Sequence, residues 1–157
     1  MARFSVRPRP QASDDQGQIG VLALGLFVLA TLLVLGAVDV TAAQLARMRL
    51  LDAADSAALD AADALDERAA YEGGVLDQLA LTDESVAAAA AAHLARTPMP
   101  PGITSWSVVP RSGASDGATA VVTVQGTATL PMSGWVLESL GGSVTITVTS
   151  RARASLT

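Results

Sequence analysis

The 157-residue chain contains no cysteine, which excludes disulfides, thiolate metal sites and cysteine nucleophiles. Lysine is also absent: all ten basic side chains are arginine, against fifteen Asp and Glu, for a formal net charge of -5. An acidic chain repels phosphate backbones, so no nucleic-acid partner is expected. A single histidine, His93, cannot build a Cys/His zinc site, and with no nucleophile nearby it reads as a surface or packing residue. No phosphate-binding glycine loop and no nucleophile-base set occurs, so the reading is a chain with no cofactor, no metal and no catalytic residues, not an enzyme. Aromatic residues make up only 3%. A soluble core must then be assembled from Val, Leu, Ile and Ala, which bury less area each, and it will be thin.

Against these absences stands one long uncharged apolar run, Ile19 to Val38. At ~1.5 Å rise per residue it spans the roughly 30 Å hydrocarbon core of a bilayer. The expected organisation is a disordered tail over 1–16, a transmembrane helix over 17–38, an extracytoplasmic helix extension over 39–72, and a small domain over 73–157. Arg3, Arg7 and Arg9 precede the span, and Arg47 and Arg49 follow it among Asp39, Asp52 and Asp55. Basic residues favour the cytoplasmic side, so the amino terminus is expected in the cytoplasm and the carboxyl part outside, in a single-pass cell-membrane protein. A cleaved signal peptide is the competing reading, with Val40-Thr41-Ala42 as a small-residue cleavage site. A buried soluble helix would need a larger protein to cover all its faces. Asp39 is expected to mark the membrane interface, where water solvates it.

Beyond the span the helix pattern becomes two-faced. At 100° per residue, Asp52, Ser56, Asp60, Asp63 and Glu67 share about a quarter of the circumference, flanked by Asp55 and Asp66. The opposite arc carries Leu51, Ala54, Ala58, Ala61 and Leu65, the candidate helix-packing residues, on which a sheet or a neighbouring helix should lie. The acidic stripe reads as a solvated face. Calcium or metal binding is disfavoured because helix-spaced carboxylates lack the loop and glycine turn of a calcium site. Matching to an arginine on a neighbouring subunit is a further option, with Arg47, Arg49, Arg151 and Arg153 as candidates in this chain. Gly73-Gly74 should stop this helix, about 50 residues or roughly 75 Å from Ile19.

A second helix is expected from Asp83 to Arg96, with Thr82 as its cap, Asp83 and Glu84 in its first turn and Arg96 in its last. The Thr97-to-Gly102 stretch, rich in proline, ends it. The last third changes to period two. Ala118, Ala120, Val122, Val124, Ala128 and Leu130 alternate with polar residues, and Val144, Ile146, Val148, Ala152 and Ala154 alternate with threonines and arginines. A shorter strand, Ile103 to Val109, puts Trp106 and Val108 on one side; Asp116-Gly117 signals a turn, and Gly126 a bulge or bend. The fold class is therefore α+β: a long amino-terminal helix, a short second helix and a small antiparallel sheet of three to four strands covered on one side. Between the two strong strands, Trp135, Val136 and Leu140 are expected to form a helical turn capping the open end of the core. The other reading makes them an exposed partner patch. Leu130 to Gly134, LPMSG, lacks the apolar span and basic tail of a sortase signal and is a chance match.

Asp15-Gln16-Gly17-Gln18, the apolar run, Ala37-Val38-Asp39-Val40, and the stretch from Leu45 to Leu59 with its Ala54-Asp55-Ser56-Ala57-Ala58-Leu59 core resemble the amino-terminal region of the TadE/TadG-like Flp pilus-assembly family. The resemblance covers about Gln16 to Ala62. It implies a single-pass, pilin-like envelope protein, structural rather than catalytic, acting in a tight-adherence pilus or related secretion apparatus. The partners it implies are membrane lipid, other pilus or pilin-like subunits and assembly proteins, with a homo- or hetero-oligomer formed through the amino-terminal helix. Prepilins cut after a glycine usually carry Glu at the fifth mature position, which here, after Gly17, is Leu22, so permanent anchoring is expected. The alternative function is a secreted or anchored envelope binding module using the threonine-faced sheet or the Trp135 patch.

Overall fold

The computed structural model describes residues 14–71 and 82–153, and the side chains of 17–64 and 82–153. Of the expected tail over 1–16, residues 1–13 lie outside the described residues, as do the helix stop at Gly73-Gly74, the side chains of Leu65, Asp66 and Glu67, and Ala154. Residues 14–16 are not a disordered tail but the first turn of the long helix. The architecture is α+β. Helix α1 runs over Asp14–Tyr71, α2 over Asp83–Arg96 and α3 over Gly134–Ser139; the strands are β1 Ile103–Val108, β2 Gly113–Ala114, β3 Thr119–Ala128 and β4 Val144–Arg153. The chain divides into two compact units, Met1–Ala37 and Val38–Thr157.

In the first unit the described backbone is helical and its apolar side chains from Ile19 to Leu35 are exposed. This helix is apolar on all sides, with no polar face to turn to water. Thr31 donates its hydroxyl to the carbonyl of Phe27 at 2.9 Å, which satisfies its one polar group within the helix.

The second unit is built on β3, the central strand. β4 pairs antiparallel with it along its full length, from Thr119 opposite Arg153 to Ala128 opposite Val144. The other edge of β3 is shared: β1 covers residues 124–128 and β2 covers 120–121. The gap between β1 and β2 is closed by Ser112, whose hydroxyl donates to the Thr123 carbonyl at 3.2 Å and accepts from the Thr123 N–H at 2.9 Å. The Thr123 carbonyl also accepts from the Val109 N–H at 2.9 Å, so both backbone groups of Thr123 are satisfied, and Thr123 is buried on a face expected to be wet.

Period two on β3 sends Ala120, Val122, Val124 and Ala128 into the core, where they meet Val148 and Ala152 of β4. The helical stripe Ala46, Leu50, Ala53, Ala54, Ala57, Ala58, Ala61 and Ala62 covers them from α1, and Val86, Ala90 and Leu94 from α2. Alanine keeps the layers close because there is little side chain to separate them. The one large residue in the α1 stripe, Leu50, is 0% exposed and needs a hole. Gly126 supplies it: a Cβ there would stand 3.1 Å from Leu50 Cδ1 and 3.2 Å from the Ser105 carbonyl oxygen. Gly126 is therefore no bulge, since it stays in register between Trp106 and Ile146; the irregularity lies at Ile103–Ser105 instead.

Helix α2 starts where its sequence says. Thr82 accepts from the Ser85 N–H at 3.1 Å and Ser85 answers by accepting from the Thr82 N–H at 3.1 Å, a reciprocal capping box. Asp83, in the first turn, also accepts from the Ala114 N–H at 2.7 Å and so ties β2 to α2. The side chain sits so close to Gly113 that a Cβ there would push the carboxylate off this bond.

Candidate assembly surfaces

Three places were candidates for association: the apolar run, the alanine face of α1, and the turn around Trp135. Within the apolar run, Gly20, Gly25 and Gly36 have open space where a Cβ would project, so this chain's own packing does not require them to be glycine. Gly17–Ala64 includes a stretch apolar enough to cross a membrane, and none of that stretch is buried.

On the alanine face, Ala54, Ala58 and Ala61 are buried in the core of this same chain. The chain's own core, built with residues of the sheet and of α2, covers them, which leaves no room on those three residues for another subunit. Leu51 is 39% exposed, so it stands at the margin of the stripe, and Leu50, one residue back, occupies the centre. The 100° step between them explains the difference: the buried stripe follows 46, 50, 53, 57 and 61, and Leu51 falls beside it. Leu65 belongs to α1, but its side chain lies outside the described residues.

The acidic stripe is exposed at Asp52, Asp55 and Asp63. Asp60 is engaged, accepting from Arg96 Nη2 at 3.0 Å, with His93 Nδ1 at 3.4 Å. Its arginine partner within the chain thus comes from α2. Arg49 turns instead to the backbone, donating to the Pro101 carbonyl at 2.6 Å beside the positive-φ Gly102. Among the described residues no group of three or more His, Asp or Glu side chains is placed to hold a metal ion.

The turn around Trp135 departs most from expectation. None of α3 is buried; Trp135 is 72% exposed, Leu140 79%, and Val136 is exposed as well. These residues do not cap the core. On the inward side of this six-residue helix, Leu137 folds over Gly142. Trp135 keeps its indole satisfied by donating Nε1–H to the Met132 carbonyl at 3.1 Å.

What holds this turn in place is Asp39. One carboxylate oxygen accepts from the Met132 N–H and the other from the Ser133 N–H, each at 2.8 Å. Asp39 is only 8% exposed, so it is a buried clamp, where the sequence pointed to a solvated interface charge. The Ser133 hydroxyl, and then the two backbone N–H groups, hold its carboxyl below the ordinary value of 3.8, against the upward push of burial. Hydrogen bonds from three donors stabilise the charged form more than the loss of water destabilises it. Sequence reasoning missed this role because the partners lie more than ninety positions away.

No match was found among curated proteins or among solved structures. The amino-terminal resemblance is borne out by a family model: residues 17–64, from the apolar run through the alanine stripe under the sheet, match Tad, described as "Putative Flp pilus-assembly TadE/G-like".

Proposed function

We propose that this protein is a membrane-anchored, pilin-like structural component that takes part in assembling an Flp/Tad-type pilus or secretion apparatus. The observation that carries the reading is the extent of the family match, which takes in both the exposed apolar run and the alanine stripe. The apolar run anchors the chain in lipid with the amino terminus in the cytoplasm, and the unit from Val38 onward works outside. The domain limits 17–38 and 39–72 describe that division. Because the alanine stripe is occupied by the chain's own sheet, contact with other pilus subunits falls to the span, with its glycines open, and to the outer faces of the second unit. No chemistry is required of it.

Deletion of the gene followed by electron microscopy of the cell surface tests the reading. Loss or marked shortening of pili, restored by the full-length gene, is expected; normal piliation and adherence would overturn it. Intact mass and amino-terminal sequencing of protein taken from membranes should find an uncut chain. A mature form beginning near Ala43 and free in the medium would instead favour a secreted binding module that uses the threonine-faced sheet.

A further inference from the structure

The exposed α3 turn is uncharged over Leu130 to Leu137 and presents Trp135, Val136 and Leu140 to the surroundings. At 100° per residue these three fall within one arc of about 140°, and Glu138 projects well away from its centre. An apolar arc carrying a tryptophan needs an occupant, and the position of Asp39 identifies it. Asp39 is the residue that follows the apolar run, and its carboxylate holds Met132 and Ser133 at 2.8 Å each. Its neighbours Val38 and Val40 are exposed and apolar too. An apolar run of bilayer length ends at the membrane-water boundary, so groups bonded to the next residue are at that depth.

We infer that α3 is a second membrane contact, with Trp135, Val136 and Leu140 lying in the headgroup region of the leaflet into which α1 inserts and Asp39 fixing their depth. This rests on the membrane anchoring proposed above. Tryptophan suits that layer because its ring is apolar and large, and here its N–H is already paired with the Met132 carbonyl. The consequence is orientational: a single helix leaves a domain free to tilt and spin, whereas two contacts fix which face of the sheet is turned to a neighbour.

Because the chain has no cysteine, a single introduced thiol can be labelled cleanly. The full-length Leu140→Cys protein, labelled with a polarity-sensitive fluorophore, is reconstituted into phosphatidylcholine vesicles with and without a nitroxide on the upper acyl chain. Ser115→Cys is the control, exposed at the opposite end of the ten-residue β3, about 30 Å away at strand rise. Position 140 should be blue-shifted and lose about half its intensity to the nitroxide, with position 115 unchanged, as an interfacial location requires. Native fluorescence of Trp135 in the Trp106→Phe protein, quenched by brominated phosphatidylcholine, supplies a label-free reading. Protein that floats with the vesicles but shows no quenching at 140 or 135 overturns the inference and leaves anchoring intact. Protein that fails to float overturns the anchoring itself, and the α3 contact with it.

Discussion

At the scale of single residues, Asp39 and Gly126 carry more of the second unit than their chemistry alone would suggest. Replacing Asp39 with Ala leaves the Met132 and Ser133 N–H groups without an acceptor, so their amide hydrogen exchange should rise by about tenfold or more while β3 keeps its protection. Asn cannot substitute, because its amide offers one acceptor oxygen where two are used. The pH dependence follows from the lowered carboxyl value: the Asp39 contribution is complete above the ordinary value of 3.8 and is lost as pH falls through the lower folded value. Amide exchange followed downward from pH 5 should therefore show α3 loosening only in the acid range. Gly126 and Leu50 form a coupled pair. Gly126→Ala should destabilise by roughly 1–3 kcal/mol, since the Ser105 carbonyl cannot move aside as a side chain can. Leu50→Ala should cost about 2–5 kcal/mol through the hole it leaves. Together they should cost less than the sum, because the new methyl enters space that leucine has vacated. Thermal unfolding of the four proteins in detergent measures the coupling.

At the scale of elements, α2 shows how unequal two visible interactions can be. The Thr82 box satisfies donors that the helix cannot satisfy itself, and Thr82→Ala should lower stability by about 1 kcal/mol. The Arg96 to Asp60 pair, with Arg96 66% exposed, is screened by water, and Arg96→Ala should change stability by less than about 0.5 kcal/mol. Circular dichroism melts of both variants decide the order. The limits of α2 were legible to the residue because capping is local. β2 was not legible: two residues carry no period, and Gly113–Ala114 becomes a strand only because β3 offers an edge and Asp83 accepts the Ala114 N–H. α3 was legible as a turn but misplaced, since nothing local to Trp135 announces that a carboxylate from α1 will hold the turn at the outside of the core.

At the scale of the whole molecule, the two units answer to different solvents. Among the described residues up to Ala37 every side chain is exposed, and the apolar ones call for lipid; the unit from Val38 encloses a small aliphatic core. A charge in the middle of the run tests this directly. Leu29→Arg should disfavour insertion by roughly 3 kcal/mol and release the protein into the alkaline carbonate supernatant, where the parent chain stays with the membrane pellet. The same argument limits association. A partner that recognised Ala54 or Ala58 would have to displace the sheet, so substituting those residues should damage folding before it damages any assembly contact.

Composition and period alone determined the bilayer-length run, the alanine and acidic faces of the helix beyond it, the cap of α2 and the alternation of the two long strands. All of these depend on residues within a few positions of one another, and the period of an element reports which of its faces will be dry. Tertiary structure decided what occupies each face. It put the chain's own sheet on the alanine stripe, Leu50 and not Leu51 at its centre, and Arg96 against Asp60. It turned Asp39 from a solvated boundary charge into the clamp of an exposed turn. Those outcomes join residues tens of positions apart, and a local pattern specifies that a face will be covered or a charge satisfied without specifying by what.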